Sequence, residues 1–174
     1  MPDTTIDKID PQTIDSDKRL ATNDIPVTIV TTSGDYHGDI NLNFSSVQIN
    51  RVSDLFVKSN IAFLPLYNAT VKGAEGKEVL INIKDIAVVI PNDNAFPSSP
   101  ELRKDALVSI KLRYDLGHLA GKVNLWGETQ ELDRTSDLLN FPGKKWLILY
   151  EASFKGKSLR VAIINLEFIS TVDD

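Results

Sequence analysis

Gly38-Asp39-Ile40-Asn41-Leu42 returns as Gly121-Lys122-Val123-Asn124-Leu125, and the reading of that pair decides the fold. In both stretches apolar residues (Ile40, Leu42; Val123, Leu125) alternate with polar ones, the period of a half-buried strand. The interval from Gly38 to Gly121 then recurs outward along the chain. At that interval Arg51-Val52-Ser53-Asp54-Leu55 meets Arg134-Thr135-Ser136-Asp137-Leu138. Leu64-Pro65-Leu66-Tyr67-Asn68-Ala69 meets Leu147-Ile148-Leu149-Tyr150-Glu151-Ala152, and Asn82-Ile83 meets Asn165-Leu166. One interval kept through all these segments, with no insertion between them, predicts two copies of one structural unit.

The first copy begins at Pro26. Val27–Thr32 is rich in β-branched residues, Ser33-Gly34-Asp35 is a turn, and Tyr36–Phe44 resumes the strand, so a hairpin is expected. Residues 51–57 suit one helical turn, capped by Ser53 and favoured by Asp54 near its positive end. Strands follow at Ala62–Val71, Val79–Ile83 and Ile86–Ile90, with Lys72–Lys77 as a polar turn. The second copy repeats this order with strands at Leu107–Arg113, His118–Trp126, Trp146–Phe154, Leu159–Leu166 and Phe168–Val172, and a helical turn at Ser136–Asn140. Its first hairpin is slightly longer, because the match of Val27 to Val108 is closer in sequence than that of Gly38 to Gly121.

Short strands with tight turns leave no room for crossover helices, which excludes a parallel α/β sheet. The expected class is mostly β: two tandem, small, five-stranded antiparallel barrel-like units, each with a short helical turn. Their boundaries are an acidic tail over 1–25, a β repeat over 26–91, a linker over 92–106 and a second β repeat over 107–174. The linker holds Pro97 and Pro100, and Ser99-Pro100-Glu101 predicts a helix over Pro100–Ala106. The edges of such sheets need cover from the sister copy, the tail or a partner.

The 174 residues carry a net charge of −5, of which −3 falls in residues 1–25 and none in residues 101–174. No segment is strongly basic, which disfavours a phosphate-binding footprint and hence nucleic acid. No cysteine is present, excluding disulfides, thiolate metal sites and cysteine nucleophiles. No run is long and apolar enough to span a bilayer, and none has the shape of a signal peptide, so a soluble cytoplasmic protein is expected. The composition of residues 1–24 favours a disordered acidic leader; the sharper reading is a docking arm whose Ile6, Ile9 and Ile14 enter a partner's groove.

The order hairpin, helical turn, strand, hairpin resembles the small barrels of the Sm-like class. That class carries an aspartate and asparagine before its third strand and an arginine-glycine pair near its fourth, and this chain has neither in place. A glycine before alternating apolars, then Arg-x-Ser-Asp-Leu, then Phe-x-x-Leu and a small residue, also resembles a family of short uncharacterised bacterial domains. Gly38, Arg51–Leu55, Phe63–Leu66 and Ala69 carry that pattern in the first copy. In the second it is carried by Gly121, Arg134–Leu138, Trp146–Leu149 and Ala152. The resemblance implies a fold and no activity.

No cluster of residues has the signature of catalysis, so no catalytic residue, cofactor or metal is assigned. Arg51 with Asp54, and Arg134 with Asp137, could clamp an anion, but a fold-forming helix start also predicts them in both copies. His37 and His118 align at the same closer interval as Val27 and Val108, and lack the further ligands that a metal needs. Lys144-Lys145-Trp146 could stack on a base, although a half-buried tryptophan beside a lysine turn explains it better in so acidic a chain. The expectation is a non-catalytic interaction or assembly subunit, joined to other protein subunits or to itself through strand edges, the tail and apolar surface at Phe44, Phe56, Phe63 and Trp126. The alternative is a nucleic-acid or nucleotide-binding small barrel, in the manner of Sm-like barrels or of those that sense cyclic dinucleotides. The latter carry an arginine-rich switch before the first strand, where this chain has only Lys18-Arg19.

Overall fold

The computed structural model describes residues 24–42, 51–58, 60–71, 74–76, 78–92, 104–126 and 131–174. These residues form one antiparallel sheet of eleven strands and two short helices. The first half holds β1 (Asp24–Thr31), β2 (Gly34–Asn41), α1 (Val52–Lys58), β3 (Phe63–Val71), β4 (Ala74–Glu75), β5 (Glu78–Asn82) and β6 (Ile86–Pro91). The second holds β7 (Asp105–Leu112), β8 (His118–Asn124), α2 (Thr135–Leu139), β9 (Trp146–Phe154), β10 (Lys157–Asn165) and β11 (Ile169–Asp173). Along the sheet the order is β11-β7-β8-β9-β10-β6-β1-β2-β3-β4, with β5 beside β4 on the same flank of β3. The sheet is open. Among the described residues no ladder joins β5 to β6 or β10 to β11, so closed barrels are not what the backbone pairing describes.

The pairing registers recur at the interval found in the sequence. Phe63 lies opposite Asn82 as Trp146 lies opposite Asn165, and Leu66 opposite Val79 as Leu149 opposite Ala162. The irregularity in the β2–β3 ladder between His37 and Asp39 reappears in β8–β9 between Ala120 and Lys122. At both places a glycine faces the backbone of the next strand. A Cβ on Gly38 would stand 2.6 Å from the Tyr67 carbonyl oxygen, and one on Gly121 would stand 2.8 Å from that of Tyr150. That close approach admits no side chain, which is the physical reason both stretches begin with glycine.

Several sequence expectations need correction. Ser53 does not cap α1; it is buried inside it, and the turn closes from the Asp54 amide to the Arg51 carbonyl at 3.0 Å. In α2, Arg134 holds the capping position without a side-chain bond, and Ser136 lies inside the helix as expected. The turn expected over Lys72–Lys77 contains β4, which pairs with Thr70 and Val71 as the start of β10 pairs with Ser153 and Phe154. Asp105 and Ala106 belong to β7 rather than to a linker helix, because they pair with Asn124 and Val123; residues 100–103 of that expected helix lie outside the described residues. A 3₁₀ turn, unforeseen from sequence, separates β5 from β6 at Ile83–Asp85 and β10 from β11 at Leu166–Phe168. Asn82 and Asn165 cap these turns by accepting from the amides of Lys84 and Glu167.

Two apolar clusters form the core, one per half, and they exchange residues where the halves meet. Trp146, Val161 and Ile163 pack into the first-half cluster, while Val30, Ala87 and Val88 pack into the second.

Candidate functional site

The halves join edge to edge. β10 runs antiparallel to β6 with Ile163 opposite Val89 and Ile164 opposite Val88, and all four side chains are fully buried. Phe56 on α1 crosses the join to meet the Trp146 ring, centroids 4.7 Å apart and planes tilted by 56°. Asn165 spans it as well. While its Oδ1 caps the 3₁₀ turn, its Nδ2 donates to the Ile86 carbonyl at 3.0 Å, in a buried position. Burial raises the Tyr150 hydroxyl above the ordinary tyrosine range; the Arg51 charge opposes this and the Asp54 charge adds to it. The join is therefore apolar at its centre and polar at its margin.

Stepping from each partner by the interval that separates Gly38 from Gly121 reaches the two ends of the sheet. Ile163 and Ile164 correspond to Leu80 and Ile81 on β5, and Val88 and Val89 to Thr171 and Val172 on β11. Trp146 corresponds to Phe63, and Phe56 to Leu139. Among the described residues no strand lies against the outer flank of β5 or of β11. Leu80 is 62% exposed and Phe63 52%, where their counterparts Ile163 and Trp146 are buried. Open strand edges with exposed apolar side chains are the feature most suited to recruiting another strand.

The residues singled out from sequence fall in different places. Phe63 stands at one open end. Phe56 is not surface at all: it is buried at the join, because Trp146 from the other half covers it. Trp126 is exposed and, with Phe141 and Lys145, lines a cleft of about 760 Å³ beside α1. Arg51 and Asp54 sit at the margin of the join, Asp54 pairing with Lys58 at 3.2 Å. Arg134 and Asp137 are exposed on and before α2. Phe44, Ile6, Ile9 and Ile14 lie outside the described residues. Trp146, expected half-buried and a candidate for base stacking, is buried with its ring against Phe56, so it presents no stacking face.

Sequence reasoning gave no role to Leu80, Tyr150 or the two asparagines. Asn82 and Asn165 were visible as an echo; only the join shows what the second of them does.

A second cleft, of about 550 Å³, is lined by Asp35, His37, Asp39 and Lys155 among others. His37 Nδ1 and Thr28 Oγ1 share a hydrogen bond of 2.9 Å, and His118 stands exposed at the start of β8, away from that lining. Among the described residues no group of three or more His, Asp or Glu is placed to hold a metal ion. Among the same residues no helix is long and apolar enough to cross a membrane. No protein-family profile, curated protein or solved structure matches the chain.

Proposed function

We propose that this protein is a non-catalytic assembly subunit, built as a tandem of two small barrel-like units of Sm-like strand order, whose open sheet edges bind protein partners. The observation that carries the reading is the β10–β6 join. There, one half adds to the other as a further strand, and among the described residues the same kind of edge is left open at both ends of the sheet. The recurrence of ladder registers at the repeat interval supports the tandem. Strand addition suits a subunit of this kind because main-chain bonds provide affinity while alternate side chains set the register.

Photo-crosslinking in the expressing cell tests this. A crosslinking residue at Leu80 or Thr171 should form adducts with a protein, and one at the exposed Ser158 should form far fewer. Equal yields at all three positions would count against edge binding.

A further inference from the structure

We propose that copies of this chain add to one another head to tail, β11 of one copy lying antiparallel on β5 of the next, with Val172 opposite Leu80 and Thr171 opposite Ile81. This rests on the assembly reading above and names the partner as a second copy of the chain.

The template is the join inside the molecule. It places β10 on β6, and β5 and β11 stand where those two strands stand in their own halves. Carrying each partner across by the repeat interval leaves the register unchanged: Ile163 with Val89 becomes Leu80 with Val172, and Ile164 with Val88 becomes Ile81 with Thr171. Neither strand needs a new conformation, since β5 already pairs with β3, and β11 with β7, as β10 and β6 pair with β9 and β1.

Three further features of the internal join have counterparts waiting at the open ends. Phe56 covers Trp146, and their counterparts are Leu139 on α2 and the exposed Phe63. Asn165 donates to the Ile86 carbonyl, and Asn82 holds the same capping bond to its 3₁₀ turn, leaving its amide nitrogen to reach the Ile169 carbonyl of a neighbour beside Arg113. Arg51 and Asp54 flank Tyr150 at the internal join, which gives Arg134 and Asp137 the matching place beside a neighbour's Tyr67. The repeated polar motif is thereby used at every join, which explains why both copies keep it.

The two joins differ in strength. Ser170, Thr171 and Glu78 stand where the internal join has Ala87, Val88 and Val161. Less apolar surface is removed from water, so association between copies is weaker than the join within one and depends on concentration. The two contacting surfaces are different patches, so the association is heterologous and gives a closed ring or an open fibre according to the rotation per step.

The test uses the purified full chain, which has no native cysteine. Residues directly opposite in an antiparallel ladder have Cα atoms about 4.5–5.5 Å apart, within the range a disulfide spans. Oxidising the Leu80→Cys/Val172→Cys double variant should give a ladder of covalent multimers, and Leu80→Cys/Ser158→Cys should not. Sedimentation should show mass rising with concentration, and Leu80→Lys, at an exposed position, should weaken association by about tenfold or more with an unchanged circular dichroism spectrum. A chain that stays monomeric at every concentration overturns the proposal. So does a symmetric dimer trapped by Leu80→Cys alone. If the purified chain is monomeric while Leu80 crosslinks to a different protein in cells, the head-to-tail proposal fails and the assembly reading stands.

Discussion

Asn165 donates its side-chain amide to the carbonyl of Ile86, 3.0 Å away and 79 residues earlier in the chain. The same side chain accepts from the Glu167 amide. One buried residue therefore ends a strand, caps the turn after it and ties the two halves together. Asn165→Ala removes all three at once and leaves the Ile86 carbonyl without that donor. The expected loss is about 1–3 kcal/mol, read by urea unfolding at low protein concentration. Asn82→Ala removes a cap only and should cost less. Equal losses for the two variants would mean that the bond to Ile86 contributes nothing.

Gly38→Ala and Gly121→Ala should destabilise to a similar degree. Beyond the carbonyl contacts, the new Cβ would stand 2.8 Å from Leu66 Cγ in the first case and 2.9 Å from Leu149 Cγ in the second. Backbone atoms on the facing strand cannot yield without distorting the ladder, so a loss of about 1–3 kcal/mol is expected for each. Thermal melting of the two variants checks it. A neutral result at either position would show that the close approach is not maintained in solution.

Phe56→Ala opens the apolar centre of the join, where its ring meets Trp146. Its loss should be about 3–5 kcal/mol, with a spectroscopic sign as well. Trp146 is buried and Trp126 is exposed, so a shift of tryptophan emission to longer wavelength in the folded variant reports Trp146 alone. An unshifted spectrum would mean that Phe56 does not shield that ring.

Lys144 gives a pH dependence. Burial holds its ammonium below the ordinary lysine value of 10.5. At neutral pH the folded and unfolded chains both carry this charge, and the folded one bears the cost of desolvating it. As pH rises through the depressed value, the folded lysine releases its proton first, so stability from this group increases up to about 10.5. Lys144→Met should therefore be more stable than the parent at pH 7, by less than about 1 kcal/mol given partial exposure. The gap should narrow towards pH 10, and a gap that widens would reverse the assignment.

Much of the strand order was legible because its signals are local. Alternation at Ile40 and Leu42 and the limits of Trp146–Phe154 depend on neighbours in sequence. What was hidden depends on partners far along the chain. Phe56 reads as exposed surface until Trp146 is placed against it. Leu80 looks like any strand leucine until its counterpart, Ile163, is found buried at the join. Asn82 and Asn165 announced themselves by recurring, but a cap on a 3₁₀ turn has no sequence pattern as distinct as that of an α-helix start. The edge-to-edge union of the halves was open because the pattern of each half fixes its own ladder and not the neighbour of its last strand.

Strand β6 belongs to two cores at once. Ile86 and Val89 face one cluster, and Ala87 and Val88 face the other. Unravelling either half strips the lining from its sister, so the sister cannot outlive it. The two halves should therefore behave as a single thermodynamic unit: calorimetry should record one heat-absorption peak, its enthalpy scaling with both halves together, where independent modules would melt in succession.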